Sequence, residues 1–246
     1  MHMKMITFEY YPQGRKKALT MSYDDGRVED RRLVEIFNRY GIRGTFHLNA
    51  GKLDTSSYIC GSEIKDLYRG HEISSHTFSH PFLTQIPQKA VIQEILEDRR
   101  MLESYAGYPV RGMSYPFGNY DDKVLTLLPS LGIEYSRTCQ SHNSFILPSN
   151  FLTWHPTCHH SAGIIGKLKD FLNPRPWDKM PLFYIWGHSY EFERDSRWNI
   201  IEEFCREGSG NPEIWYASNI DIMDYITAMR NLKFSVDNGQ VYNPSS

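Results

Sequence analysis

Short apolar runs that suit β-strands alternate with amphipathic helical segments along most of the chain. The strand candidates are 18–23, 44–48, 72–76, 110–115, 133–138, 151–154, 182–188 and 213–217. Apolar residues at helical spacing predict helices between them, the first ending at Gly41 and the last starting at an N-cap at Asn219. This alternation predicts parallel strands in βα units, and seven or eight units fit a closed or nearly closed barrel. Residues 233–246 predict a short strand and a turn.

The size and composition fit one globular domain that spans residues 1–246, since 40 % of the residues are hydrophobic and 23 % are charged. A net charge of −2 gives no sign of a nucleic-acid-binding surface. No long apolar run predicts a transmembrane helix. We expect a cytoplasmic location because no leader is visible, with a removed signal peptide as the alternative. The sequence does not indicate an oligomeric state.

The four cysteines lie far apart in the sequence and form no CxxC pair. They are Cys60, Cys139, Cys158 and Cys205. A chain of this length can bury a sufficient core without disulfides, so we expect free thiols.

Polar motifs follow the ends of several predicted strands. Asp24 and Asp25 end the first strand, His76 ends the third, Tyr115 ends the fourth and His188 ends the seventh. The carboxyl ends of parallel barrel strands converge on one face, where active sites assemble. The sequence therefore predicts that these distant residues meet at one rim of the barrel.

Two histidines and two aspartates are available to a divalent metal at that rim. His76 and His80 are four residues apart, which predicts that both imidazoles lie on one side of a helical turn. Taken alone, the pair could be surface or capping histidines, and Asp24-Asp25-Gly26 could be a turn that ends a strand. Together they supply three metal ligands and a spare carboxylate, which is the minimum set for metal-assisted hydrolysis.

The remaining carboxylate and His188 can carry protons. A free aspartate beside the metal can act as general base, and an imidazole has a pKa suited to protonating a leaving amine. A lone histidine after a strand is more often structural, so His188 depends on the metal site for its functional interpretation. Glu191 follows three residues later and could hold His188 or raise its pKa.

A second group of metal-ligating residue types lies in residues 154–160 (WHPTCHH). Its spacing matches no structural zinc module, so we favour a loop at the barrel mouth over a zinc site. In that loop Trp154 could form an apolar wall for a sugar ring.

The order and spacing of five motifs resemble those of the polysaccharide deacetylase (NodB-homology) superfamily, carbohydrate esterase family 4, over nearly the whole chain. Residues 23–26 (YDDG) resemble its T-F-D-D-G motif, and residues 76–80 (HTFSH) its H-[ST]-x-x-H motif. Residues 44–48 (GTFHL) are similar to the A-T-F-F strand between them. Residues 115–118 (YPFG) resemble the end of R-x-P-[FY]-G, and residues 185–188 (IWGH) resemble the apolar strand that ends in the fifth-motif histidine.

The resemblance implies a distorted (β/α) barrel of about seven parallel strands, related to the TIM barrel, and removal of acetyl groups from acetylated sugars. It also implies a divalent metal, most often Zn²⁺ and sometimes Co²⁺ or Ni²⁺. Carried over residue by residue, it gives three metal ligands, a general base, a general acid and an oxyanion site. They are Asp25, His76 and His80 as ligands, Asp24 as base, His188 as acid, and the backbone near Tyr115 and Phe117 for the oxyanion.

The chain departs from the family pattern at two positions. The arginine of the third motif falls at Ser114, and Arg111, three residues earlier, lies on the wrong face of the strand to replace it. The Asp-Trp pair of the fourth motif aligns with Thr153-Trp154, so the tryptophan is kept and the carboxylate is lost. Glu191 is the candidate to supply that charge.

These observations favour an amide hydrolase that removes acetyl groups from the N-acetylated sugars of a poly- or oligosaccharide. Three alternatives stay open. One is a related hydrolase of other amides or ureides, another is an acetyl esterase, and the third is a glycan-binding domain that has lost activity.

Overall fold

The computed structural model describes residues 5–245. The strands are β1 Lys17–Asp25, β2 Gly44–Leu48, β3 Glu72–Ser75, β4 Gly112–Ser114, β5 Tyr135–Arg137, β6 Cys158–His159, β7 Leu182–His188, β8 Ile214–Tyr216, β9 Lys233–Phe234 and β10 Val241–Tyr242. The helices are α1 Asp30–Tyr40, α2 Ile64–Leu67, α3 Gln88–Ala106, α4 Asp122–Leu127, α5 Ile164–Leu172, α6 Ser189–Arg194, α7 Trp198–Gly208 and α8 Asn219–Asn231. Strands and helices alternate as the sequence predicts.

The first eight strands form one sheet in which every pair is parallel. Their order is β5-β4-β3-β2-β1-β7-β6, and β8 pairs with the beginning of β1. The segment that leads into β6 also reaches the opposite edge, because Trp154 pairs in parallel with Arg137 of β5. One short stretch therefore contacts β5 on one side and β7 on the other. The result is the predicted distorted (β/α) barrel.

Helix packing explains why the central strands are buried. The first eight residues of β1 and all of β2 are buried, as expected for parallel strands covered by helices. Helix α1 buries Leu33, Ile36 and Phe37 and ends at Tyr40, with Gly41 as its C-cap. Gly41 has a φ of +65°, a left-handed conformation that glycine adopts without the steric cost of a Cβ.

A polar network inside the barrel fixes the strands below the rim. Glu72 of β3 is buried and accepts hydrogen bonds from Thr45 Oγ1 at 2.9 Å and Tyr135 Oη at 2.7 Å. The backbone N–H of Ile220 donates to the same carboxylate at 2.9 Å. Burial raises the pKa of Glu72 to about 7 despite these donors. The network joins β2, β3, β5 and the start of α8, and so sets the relative heights of their ends.

Two local predictions were wrong. Residues 151–154 do not form a strand, because Phe151–Thr153 is a 3₁₀ turn and the strand of this region is β6. The N-cap of α8 is Ser218 rather than Asn219, since the Ser218 side chain accepts from the Asp221 N–H and Asp221 caps Ser218 in return. The predicted strand and turn near the C-terminus is confirmed as the hairpin of β9 and β10.

The four cysteines are free thiols, as predicted. Within residues 5–245, every helix is too short or too polar to span a lipid bilayer.

Candidate active site and metal centre

The site begins at the carboxyl end of β1, where two consecutive aspartates approach the same imidazole. Asp24 Oδ2 lies 3.8 Å and Asp25 Oδ1 lies 3.9 Å from His76 Nε2. Neighbouring side chains of an extended strand point to opposite faces. Asp25 breaks that rule with a φ of +81°, which is uncommon for a residue other than glycine. The left-handed backbone therefore brings both carboxylates into one site.

The three predicted ligands converge. Asp25 Oδ1 lies 3.9 Å from the Nε2 atoms of both His76 and His80, and the three donor atoms lie within 4.8 Å of one another. Asp25, His76 and His80 could therefore hold one divalent cation, since two imidazoles and a carboxylate are a common zinc ligand set.

A loop rather than a helix presents the two histidines, so the prediction of a helical turn was wrong. Thr77 and His80 have φ values of +64° and +65°. Asn49 Nδ2 donates to the carbonyl oxygens of His76 and Thr77 at 2.6 and 2.8 Å. Buried Asp98 accepts from the His76 N–H at 3.2 Å, and burial raises the pKa of Asp98 to about 7. Buried polar groups from neighbouring elements therefore fix the loop.

The hydrogen-bond partners of His76 leave its Nε2 free to bind a metal. Nδ1 lies 2.9 Å from the Ser114 carbonyl oxygen, which can only accept, so Nδ1 carries the proton. Ligating histidines commonly donate their second nitrogen to such a carbonyl. Burial lowers the pKa of both His76 and His80, which favours the neutral rings that metals require. The residues present fit a divalent cation with mixed nitrogen and oxygen ligands.

Asp24 is held by a residue that the sequence analysis missed. Arg137 Nη2 donates to Asp24 Oδ2 in a fully buried ion pair, and Ser114 Oγ donates to Oδ1 at 3.2 Å. Burial acts to raise the pKa of Asp24, but Arg137 and then His76 outweigh it and hold the pKa below its usual range. Asp24 is therefore ionised near neutral pH.

Arg137 occupies the level of the missing motif arginine, one strand away. Strands β4 and β5 pair Ser114 with Arg137, so the guanidinium comes from the residue directly beside the expected position. Its carbon Cζ lies 4.4 Å from the centroid of the Trp186 ring. The sequence signal that could have identified Arg137 is its position as an arginine at the end of a strand-like segment. Arg111 instead pairs with Glu134 and Asp224, as expected for a residue on the wrong face.

His188 lies beside Asp24 in the sheet, since β1 and β7 place the two residues in register. Its Nδ1 is 3.5 Å from Glu191 Oε1. Burial acts to lower the pKa of His188, but Glu191 and then Asp24 and Asp25 outweigh it and raise the pKa. The imidazole therefore holds its proton more firmly than a free histidine does.

Glu191 also contacts two residues of the 154–160 segment. Its Oε2 lies 3.0 Å from His159 Nε2 and 3.1 Å from His160 Nε2. Burial acts to raise the pKa of Glu191. The imidazoles of His159, His160 and His188 outweigh burial and hold this pKa well below its usual range. The missing fourth-motif charge is thus present near His188, from a different part of the chain.

The side chains of Trp154 and Tyr115 lie away from the site. The prediction that Trp154 forms an apolar wall for a sugar ring is therefore wrong, whereas the oxyanion role of the backbone near Tyr115 stays a prediction. Trp154 is 1 % exposed and its ring lies 4.7 Å from that of Tyr184 in the barrel core. Tyr115 is fully buried, and its hydroxyl donates to the Leu152 carbonyl at 2.7 Å. Phe117 is 56 % exposed and its ring centroid lies 4.4 Å from that of His80. Only Phe117 of these three presents its side chain at the rim.

Comparison with known proteins places this site in a family. The polysaccharide deacetylase family model matches residues 12–136, just over half of the chain. The chain therefore belongs to the polysaccharide deacetylase family.

Individual relatives are distant. The chain is 23 % identical over 111 residues to peptidoglycan-N-acetylmuramic acid deacetylase PdaC of Bacillus subtilis, a match that covers 44 % of this chain and 23 % of that protein. It is 25 % identical over 119 residues to chitin deacetylase 1 of Cryptococcus neoformans, covering 48 % and 25 %. The chain thus spans about a quarter of the length of these relatives.

The fold extends further than the sequence similarity does. A solved structure from Mycobacterium smegmatis, described as a polysaccharide deacetylase, aligns with a TM-score of 0.69 at 17 % identity. It covers 92 % of this chain and 96 % of that one. This alignment confirms the fold over nearly the whole chain.

Proposed function

We propose that this protein is a metal-dependent hydrolase that removes acetyl groups from N-acetylated sugars of a poly- or oligosaccharide. The observation that carries the proposal is the convergence of Asp25, His76 and His80 beside an ionised Asp24 and a proton-holding His188. The names of the curated relatives, which are peptidoglycan and chitin deacetylases, point to the same substrate class.

Asp25, His76 and His80 would hold the cation, with Zn²⁺ preferred over Co²⁺ or Ni²⁺. When bound, the cation supplies Lewis-acid polarisation of the acetyl carbonyl and acidifies water. Ser114 keeps His76 in the tautomer that ligation needs, because its carbonyl accepts the proton on Nδ1. Asn49 and Asp98 hold the His76–His80 loop against β2 and β3.

Asp24 acts as the general base. Its carboxylate is close to His76 Nε2, at 3.8 Å, and therefore faces the ligand cluster directly. Arg137 fixes the carboxylate and keeps it ionised, so the base is ready to accept a proton from the attacking water. Arg137, in β5, thus supplies the positive charge that the third-motif arginine would have placed beside Asp24.

His188 acts as the general acid. Its raised pKa lets the imidazole hold its proton more firmly than an ordinary histidine does, and its register with Asp24 puts the two proton carriers side by side. The leaving amine takes the proton from His188 while the acetyl group leaves as acetate. Glu191 Oε1, 3.5 Å from His188 Nδ1, stabilises the positive charge of the ring.

The backbone N–H of Phe117 is our assignment for the oxyanion donor. Phe117 lies in a 3₁₀ turn, Pro116–Gly118, with a φ of +57°, and packs against His80. A fixed donor near the cation stabilises the charge that develops on the carbonyl oxygen.

A domain that binds glycans without turnover is less well supported. That alternative rests on the absence of the motif arginine and the motif aspartate. Arg137 and Glu191 supply both charges to Asp24 and His188 from other positions. The departures from the family motifs are therefore compensated in space.

The direct test is acetate release by the zinc-loaded protein. We expect acetate and a new free amine from chitooligosaccharides or peptidoglycan fragments, and no acetate once a chelator has removed the metal. Acetylated xylan and small cyclic ureides, assayed in parallel, separate the alternative substrate classes. Release from xylan alone, or from none of these substrates, would contradict an N-deacetylase.

A further inference from the structure

Two cations at the rim of the candidate metal centre have no carboxylate partner. Most arginines of the described chain form ion pairs, as Arg31 does with Glu63 and Arg137 does with Asp24. Within residues 5–245, no carboxylate oxygen lies within 4 Å of the charged nitrogens of Arg27 or Lys52. Unpaired cations occur elsewhere in the described chain, Arg15 among them, so an anion site at the rim is indicated by the surroundings of Arg27 together with its missing pair.

Backbone contacts place both cations next to the metal ligands. Arg27 follows Asp25 by two residues and forms an isolated antiparallel bridge with Tyr58. Lys52 ends a 3₁₀ turn, Ala50–Lys52, whose Gly51 N–H donates to the Phe78 carbonyl at 3.0 Å. Phe78 belongs to the loop that carries His76 and His80. The two cations therefore border the ligand cluster from two separate loops.

Aromatic rings hold the Arg27 guanidinium without using its hydrogen-bond donors. Its carbon Cζ lies 4.8 Å from the Tyr58 ring centroid and 5.2 Å from that of Tyr190. The Nε atom is buried and has no hydrogen-bond partner among the described residues. Lys52 Nζ lies 5.9 Å from the same Tyr58 ring. Stacking fixes the planar guanidinium, and because Nε is buried, the terminal nitrogens Nη1 and Nη2 are the donors left to face a carboxylate.

Arg194 contacts the Tyr190 ring as Arg27 does, but it also has a carboxylate partner. It also approaches Tyr190, at 5.9 Å, but its guanidinium is bound by Asp195. Arg27 has the aromatic contacts without the carboxylate. The acid that would complete its surroundings is thus missing from the described chain.

We propose that Arg27 and Lys52 recognise a carboxylate on the substrate, so that the preferred substrate is an N-acetylated sugar bearing an acid group near its acetamide. This inference rests on the proposed function and specifies the substrate class within it. Arg27 is the main contact because its fork is fixed, and Lys52 adds a more mobile charge.

The test compares probes that differ only in charge. Calorimetry on the zinc-loaded protein would measure the affinity for N-acetylmuramic acid and for its uncharged lactyl amide. A second pair, an N-acetylated amino-sugar uronic acid and its amide, places the acid elsewhere on the ring. We expect the wild type to bind at least one acid about tenfold more tightly than its amide, as for a hydrogen bond to a charged group.

Variants separate charge recognition from loop structure. Arg27→Gln is expected to abolish the preference for the acid while changing amide affinity less than about twofold, and Lys52→Gln to reduce the preference partly. Arg27→Lys should keep part of the preference. Arg15→Gln is the matched control, because Arg15 precedes β1 at the opposite end of the barrel and also lacks an ion pair among the described residues.

Equal affinity for acid and amide in both pairs, or no binding of any probe, would overturn the inference. So would an equal loss of acid and amide binding in Arg27→Gln, which indicates a merely structural role. These failures differ from failure of the proposed function. Deacetylation of neutral sugars without charge preference would support the proposed function and refute the carboxylate site. Charge-selective binding without acetate release would support the carboxylate site and refute the proposed function.

Discussion

Two clusters of histidine and carboxylate lie at the same barrel rim, yet they are built for different tasks. One consists of Asp25, His76 and His80, and the other of His159, His160 and Glu191. Both combine two imidazoles with one carboxylate at short range. Residue types alone do not distinguish them.

The second nitrogen of one ring in each cluster makes the distinction. His76 Nδ1 faces the Ser114 carbonyl, so it carries the proton and Nε2 presents a lone pair. His159 Nδ1 accepts from the Ser161 N–H at 3.3 Å, so the neutral ring carries its proton on Nε2, which faces Glu191. The first arrangement suits a metal, and the second directs the Nε2–H group of His159 toward the Glu191 carboxylate. Outer contacts therefore decide what an imidazole can do.

Metal content is the most direct measurement of which of the two clusters binds zinc. We expect the His76→Ala, His80→Ala double variant to lose essentially all bound zinc, because two of three ligands are gone. His159→Ala, the matched control at the other cluster, should keep one equivalent. Elemental analysis after dialysis measures both. Zinc retained by the double variant and lost from His159→Ala would reverse the assignment of the two clusters.

Removal of the base should affect turnover and leave metal content intact. Asp24→Asn is expected to lower the rate of acetate release about 10²–10⁴-fold, the range for a general acid–base catalyst. Zinc should remain near one equivalent, since Asp24 is not one of the three assigned ligands. Wild-type turnover in this variant would show that another group accepts the proton.

Asp24, which lies beside the first cluster, forms a buried ion pair with Arg137. Breaking the ion pair by Arg137→Met should lower the free energy of unfolding of the metal-free protein by about 3–5 kcal/mol, because Asp24 is left charged and unpaired. Arg111→Met removes a partly exposed pair and should cost at most about 1 kcal/mol. Urea denaturation compares the two. Equal losses would mean that the Arg137 pair contributes no more than a surface contact.

The second cluster should act through the pKa of His188. Glu191 raises the pKa of His188, so His188 loses its proton at a higher pH than it would without that carboxylate. In Glu191→Gln the proton is lost at lower pH, and the alkaline limb of the turnover–pH profile should shift to lower pH. At neutral pH we expect a smaller loss than the ~10²–10⁴-fold of a deleted acid.

Glu193→Gln is the control for this profile, because Glu193 lies on the same helix but contacts Trp198 and Arg32 instead. Its profile should match that of the wild type. An unchanged alkaline limb in Glu191→Gln would exclude Glu191 from setting the protonation of His188.

The order of strands and helices was largely readable from the sequence, because apolar periodicity reflects burial by local geometry. The boundaries of β2 and β7 agree with the predicted ones. The strand prediction for residues 151–154 was wrong because a run of four residues is too short to distinguish a strand from a turn. Burial of Phe151 and Trp154 does not require a strand. The location of the protein in the cell stays a prediction.

Sequence patterns were enough to identify the family and to predict Asp25, His76 and His80 as candidate metal ligands, because the motifs occur in a recognisable order and spacing. The folded chain was needed to find Arg137 beside Asp24 and to add His159 and His160 to the predicted contact between Glu191 and His188. Such partners come from different strands and loops, and any neighbouring backbone position that reaches the same point in space can supply the charge. Spacing along the chain identifies the residues of a motif. The charged partner of a motif residue is set by which side chains lie close to it in the folded protein.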